Sequence, residues 1–202
     1  MAMSDQPEEE AKARRRSPLI PIAVGVAVLA VVVLAVVMTP AKQSSPDSAG
    51  DGPPPDPGVA QIGSVAPSFK LKTIDDSVFD MASHRGKVVL INFWGTWCPP
   101  CEKEMPHLVE VYHRYNKSTV FVAIAVNDVP DAVRRFVAEK RMDFPVGLDE
   151  GQIAGRYLVS GFPTTVIVGT DGVVKEKFAR AFPDAASIES ALQRAGATAN
   201  SA

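Results

Sequence analysis

Cysteine is almost absent from this chain, with two among 202 residues, and histidine is scarce, with three. Two cysteines cannot build the disulfide framework of a small secreted domain. Without a second C-x-x-C they also fall short of the four ligands that a structural zinc site requires. No metal ligand set is expected, and His84, His107 and His113 are read as surface or packing residues. An excess of one charge is missing too. The chain carries a net charge of −2, and residues 60–196 hold 16 Lys plus Arg against 16 Asp plus Glu, so the basic footprint of a nucleic-acid-binding protein is excluded. No internal repeat is visible.

A long apolar run occurs at one place. Residues 19–38 form a stretch of 20 without a charge, rich in Val, Ala, Leu and Ile. As a helix it would be about 30 Å long, which spans a bilayer. Lys12, Arg14, Arg15 and Arg16 precede it and only Lys42 follows closely, so the positive-inside rule keeps residues 1–18 cytoplasmic. The expectation is a single-pass signal-anchor in the cell membrane, with the remainder of the chain extracytoplasmic. A cleaved signal peptide fits less well, because the run exceeds the usual h-region of about 7–15 residues and no A-x-A pattern closes it before Pro40. Residues 39–58, built from Pro, Gly, Ser and Asp, read as a tether. Residues 59–196 read as one globular domain, and residues 197–202 as a disordered tail.

Within the domain, residues 69–71 and 78–81 read as a hairpin around Asp75-Asp76, and residues 87–93 as a buried strand after Gly86. Met105, Leu108, Tyr112 and Tyr115 recur at helical spacing, with a kink expected at Pro106. A buried strand over 120–126, an amphipathic helix over 131–141, a short strand over 145–148 and a helix over 150–157 follow. Residues 164–168 and 173–178 form a hairpin about Asp171-Gly172, and a helix over 184–195 closes the domain. This order predicts an α/β domain whose central mixed sheet is covered by helices.

The two cysteines stand together as Trp97-Cys98-Pro99-Pro100-Cys101, directly after the buried strand. A strand that ends in C-x-x-C and continues as a helix places the first sulfur at a helix N-terminus, where unpaired N–H groups and the dipole favour thiolate. The pattern reads as a redox dithiol in which Cys98 attacks a substrate disulfide and Cys101 resolves the mixed disulfide. A four-residue loop constrains little of the chain, so the bond is a poor staple and a good reagent. Pro99 and Pro100 each remove an N–H that could stabilise the thiolate, which sets the expected Cys98 pKa at about 8. A weakly stabilised thiolate implies a reductant at roughly −200 to −270 mV. Glu104, three residues beyond Cys101, lies on a neighbouring helix face; spacing leaves open a proton acceptor or a solvated side chain. Trp97 is the candidate for contact with a partner, and Trp94 is equally credible as core.

The run N-F-W-G-T-W-C-P-P-C-E-K-E-M-P, the later G-F-P-T-T and the following D-G resemble the thioredoxin fold. More narrowly, they resemble the TlpA/ResA/CcmG (DsbE) group of membrane-anchored thiol–disulfide oxidoreductases, over residues 62–192. The helix and strand within 131–148, which a minimal thioredoxin lacks, Asn92 where a cytoplasmic thioredoxin carries a buried aspartate, and Glu104 select this group. The resemblance implies a thioredoxin-like fold with a TlpA-type insertion and Glu104 as proton acceptor. It also implies a cis-proline loop at Phe162-Pro163 that faces the dithiol and holds substrate. It implies no cofactor beyond the dithiol. The implied partners are exported protein disulfides, foremost the C-x-x-C-H of apocytochrome c in cytochrome c maturation with copper-site assembly factors as the alternative, and electrons come from a membrane thiol transporter of the CcdA or DsbD type. The opening I-G-S-V-A-P-S-F with H-R-G-K also resembles peroxiredoxins. Their proline and threonine or serine before the reactive cysteine are Ile91 and Gly95 here, so the peroxide pocket is missing. A copper chaperone of the Sco type would need C-x-x-x-C and a downstream histidine, and no histidine follows His113.

Overall fold

The computed structural model describes residues 58–201. The expected tail 1–18, the apolar span 19–38 and all but the last residue of the tether lie outside the described residues. Among the described residues no helix is long and apolar enough to cross a membrane.

The central element is β3 (Val88–Trp94), in which all seven side chains are buried. A strand buried on both faces must lie inside a covered sheet. It pairs in parallel with β4 (Thr119–Val126) and antiparallel with β6 (Thr164–Val168). Outside these lie β5 (Val146–Asp149), parallel to β4, and β7 (Val174–Phe178), antiparallel to β6, which gives the order β5-β4-β3-β6-β7. A separate hairpin, β1 (Lys70–Lys72) with β2 (Val78–Asp80), precedes the sheet, followed by a 3-10 turn over Met81–His84 that Asp80 caps. The helices are α1 (Pro99–Tyr115), α2 (Pro130–Lys140), α3 (Gln152–Arg156) and α4 (Ala185–Arg194). This is the thioredoxin-like α/β architecture, and α2 with β5 is the helix and strand expected between residues 131 and 148.

Side-chain alternation along β3 divides the interior in two. Val88, Leu90 and Trp94 join the core beneath α1 and α4, with Met105, Leu108, Ile188 and Leu192. Val89, Ile91 and Phe93 join the opposite core, closed by the hairpin residues Leu71 and Phe79 and by Tyr157. By the same alternation Asn92 faces the first core, beneath the helix that carries the cysteines.

The expected kink at Pro106 does not end α1, which runs through that residue to Tyr115. Of the expected disordered tail over 197–202, residue 202 lies outside the described residues, and residues 197–201 pack back on the domain. Ala197 is buried, and Asn200 donates from its backbone N–H to the Arg114 carbonyl and from Nδ2 to the His113 carbonyl. Asn200 Oδ1 in turn accepts the Lys117 N–H. The final carbonyls of a helix lack intrahelical donors, and here a distant segment supplies them.

Candidate active site

Cys98 is the N-cap of α1, and Pro99 and Pro100 fill the first two helical positions. Proline is suited to these positions because its fixed φ matches the helix and its missing N–H would have no partner there. Cys98 and Cys101 form a disulfide with their Cα atoms 5.3 Å apart. The Cys98 sulfur accepts the Cys101 N–H at 3.3 Å, the backbone donor left after the two prolines. Both cysteines are buried, at 4% and 1% exposure.

Glu104 is no solvated helix residue, since it is 1% exposed. Its Oε1 accepts from Asn92 Nδ2 at 2.9 Å and its Oε2 accepts the Phe182 N–H at 3.0 Å. Burial pushes its carboxyl from the ordinary 4.5 to about 7, against the Phe182 N–H and the side chains of Asn92 and Thr165, which favour the charge. A group poised near neutrality can take and return a proton at ambient pH. Its position three residues beyond Cys101 on α1 sets it on an adjoining part of the same helix surface.

The Phe162–Pro163 peptide bond is cis, at the entrance to β6. The Phe162 ring meets Trp97 edge-on with centroids 5.2 Å apart, so the cis-proline loop and the dithiol loop touch. Trp97 is 54% exposed and Trp94 is fully buried, with its ring 4.8 Å from Phe136 of α2. The two tryptophans therefore divide into rim and core. Beside the first turn of α1 runs an open groove lined by Pro99, Pro100, Lys103, His107, Phe182 and Pro183.

Three features of the site have no local signal in the sequence. Asp128 accepts from the Thr96 N–H at 2.5 Å and the Thr96 hydroxyl at 2.8 Å, which pins the dithiol loop to the loop after β4. The left-handed backbone of Asn127, at φ 50°, aims that carboxylate back. Gly95 leaves room for its neighbour, because a Cβ there would stand 2.6 Å from the Trp97 ring as it is placed. Phe182 contributes only its backbone N–H, and a sequence pattern does not mark such a donor. His84 stacks on Phe79, and His113 lies 3.6 Å from Asp143 on the surface. Among the described residues no cluster of His, Cys, Asp or Glu could hold a metal ion.

This geometry, a dithiol at a helix start beside a buried carboxyl and a cis-proline loop, is that of a thiol–disulfide exchange centre. The AhpC/TSA family matches residues 62–177. The chain belongs to the AhpC/TSA family. Within this family it is similar to the thiol-disulfide oxidoreductase ResA of Bacillus cereus, with 40% identity over 119 residues, 58% of this chain and 69% of that protein. ResA of Geobacillus kaustophilus is 38% identical over 117 residues, 57% of this chain and 67% of that protein. Two solved structures extend the likeness. A thiol:disulfide interchange protein from Chlorobium tepidum TLS superposes with a TM-score of 0.63 at 27% identity, covering 68% of this chain and 99% of the other. A secreted Mycobacterium tuberculosis disulfide oxidoreductase homologous to E. coli DsbE gives 0.55 at 31% identity, covering 63% and 93%. This AhpC/TSA protein is accordingly a thiol–disulfide oxidoreductase of the ResA/DsbE type, and Cys98 and Cys101 form a disulfide within its C-x-x-C.

Proposed function

We propose that this protein is a membrane-anchored, extracytoplasmic reductant of protein disulfides, and that its client is the oxidised C-x-x-C-H of apocytochrome c. The observation that carries the reductive direction is the cap of α1. The sulfur of Cys98 has one backbone N–H donor because two prolines follow it, so the thiolate gains little from the helix start. A weakly favoured thiolate makes the dithiol the better electron donor. Glu104 supports the same reading, because resolution of a mixed disulfide needs the Cys101 thiol to lose its proton. The exposed Trp97 and the exposed Val129 beside Asp128 offer an apolar rim for an unfolded client segment.

The charge-free apolar run over residues 19–38, with Lys12, Arg14, Arg15 and Arg16 before it, supports the extracytoplasmic placement, and a membrane thiol transporter of the CcdA or DsbD type would return electrons to the dithiol. The client reading comes from the likeness to the ResA and CcmG group. In the full chain, Cys101→Ser stalls the mixed disulfide on Cys98. Recovery of apocytochromes c covalently bound to this variant is the expected result, and recovery of copper-site assembly factors instead would redirect the client. A potential near that of a strong oxidant, about −120 mV, would reverse the direction. Family membership also raises peroxide reduction. Against it, Ile91 is buried within β3 and Gly95 bears no hydroxyl, so neither position supplies the polar group of a peroxide pocket.

A further inference from the structure

Asn92 is the one polar residue in the buried strand β3, and Thr165 is its cross-strand partner in β6. Both are buried, at 2% and 0% exposure. An amide placed there needs partners, since an unpaired polar group in such surroundings costs about 1–3 kcal/mol. Asn92 Nδ2 uses both of its hydrogens, donating to Glu104 Oε1 at 2.9 Å and to Thr165 Oγ1 at 2.9 Å. The Thr165 hydroxyl and the Glu104 carboxylate thus meet at the same Asn92 nitrogen. Asn92 Oδ1, on the other side of the amide, has no protein partner. The amide is therefore committed to Glu104 and Thr165 at the expense of its own oxygen.

The groups around Glu104 are donors. The Phe182 N–H and the Asn92 NH2 can only donate to it, and both suit an ionised carboxylate. No charged side chain from α1, β3, β6 or the loop after β7 shifts it, and the ionisable residues one turn away on its own helix are Cys101 and His107. When a proton arrives, the new O–H needs an acceptor. Thr165 Oγ1 is the one atom of this set that can reverse, because a hydroxyl both donates and accepts by rotation.

We propose that Asn92 and Thr165 are positioning residues that set the charge of Glu104: Asn92 holds the ionised carboxylate, and Thr165 donates to the carboxylate and accepts from the acid. This rests on the reading of Glu104 as the proton acceptor for Cys101. With client sulfur bonded to Cys98, the Glu104 carboxylate takes the proton of the Cys101 thiol. The Cys101 thiolate then attacks the Cys98 sulfur. The Cys98–Cys101 bond forms, the Cys98–client bond breaks, and the client sulfur leaves with the electron pair and is protonated by the Glu104 acid or water. The client disulfide is reduced by two electrons and the enzyme dithiol is oxidised. During the interval in which Glu104 carries the proton, Thr165 is its acceptor.

The test uses the full chain in detergent with carbon-13-labelled glutamate, followed by NMR titration and by single-turnover reduction of insulin. Asn92→Leu removes a donor to the charged form alone. It is expected to raise the Glu104 midpoint by about 1–2 pH units, from the strength of a hydrogen bond to a charged group. Reduction at pH 7 is then expected to slow about 5- to 50-fold, with recovery as the pH is raised. Thr165→Val removes a partner of both forms. It is expected to move the midpoint less than Asn92→Leu does and to raise the infrared carbonyl frequency of the protonated acid, with Thr165→Ser restoring that band. An unmoved midpoint in Asn92→Leu, or an unmoved band in Thr165→Val, would overturn the proposal. Should Asn92→Leu fail to fold, the band alone decides. Loss of the pH dependence of reduction in Glu104→Gln, together with an unmoved midpoint in Asn92→Leu, defeats this inference and leaves the role of Glu104 standing. An unchanged pH dependence in Glu104→Gln defeats the role itself.

Discussion

Replacing Glu104 by glutamine should change how stability depends on pH, and the size of the change follows from burial. The carboxyl is held at about 7 in the folded protein against an ordinary 4.5. At about 1.36 kcal/mol per pH unit, this difference corresponds to about 3 kcal/mol between low and high pH. The value is raised, so below 4.5 the acid is protonated in both folded and unfolded chains and the contribution is fully present. Between 4.5 and about 7 the unfolded chain loses the proton first, the folded state binds more protons, and stability falls as pH rises. Above about 7 both states are ionised and the contribution has been lost. Glutamine does not titrate. Its NH2 must face one of the donors that now meet a carboxylate, which adds a pH-independent cost of about 1–3 kcal/mol. The diagnostic is therefore the difference between the two pH profiles. Both tryptophans lie in the domain, so urea unfolding of the oxidised full chain in detergent can be followed by fluorescence from pH 4 to pH 8.5. The wild type should lose about 3 kcal/mol relative to Glu104→Gln across that range. Parallel profiles would refute the claim that an ionised Glu104 is disfavoured by its surroundings.

Asp128→Ala leaves the Thr96 N–H without its acceptor and should lower stability by about 1–3 kcal/mol in the same unfolding assay. It should also slow single-turnover insulin reduction, because the loop before Cys98 loses its anchor. Gly95→Ala places a methyl group 2.6 Å from the Trp97 ring. Since that ring is half exposed it can swing aside, so stability should change by less than about 1 kcal/mol while the Trp97–Phe162 contact is lost and KM for insulin rises. Asp149→Ala removes the acceptor for the Ile153 and Ala154 N–H groups at the start of α3, with an expected loss of about 1–2 kcal/mol on urea unfolding.

Much of the fold is legible in the sequence because its signals are local. The apolar run before the cysteines reads as a strand, and β3 occupies residues 88–94 against the expected 87–93. The hairpin signalled by Asp171-Gly172 appears with Gly172 at φ 76°, a conformation that glycine takes without strain. The ends of elements shift by one or two residues, since they are set by capping contacts such as those of Asp149 with the first N–H groups of α3. Helical spacing brings Glu104 near Cys101 on α1, whereas its burial depends on Phe182 and Thr165, far away in the chain. The same reason hides the Asp128–Thr96 clamp, which spans 32 positions. No local pattern marks the tail as ordered, because Asn200 finds its partners in the His113 and Arg114 carbonyls and the Lys117 N–H, more than 80 positions away.

That clasp ties the chemistry to the order of synthesis. The redox helix is sealed at its far end by Asn200, whose side chain meets a backbone amide 83 positions earlier. A ribosome-bound chain therefore presents α1 with its last carbonyls open to water until that late segment emerges. Any tag or fusion placed after residue 202 has to leave these few residues free to fold back, or the support of the catalytic helix is weakened from behind.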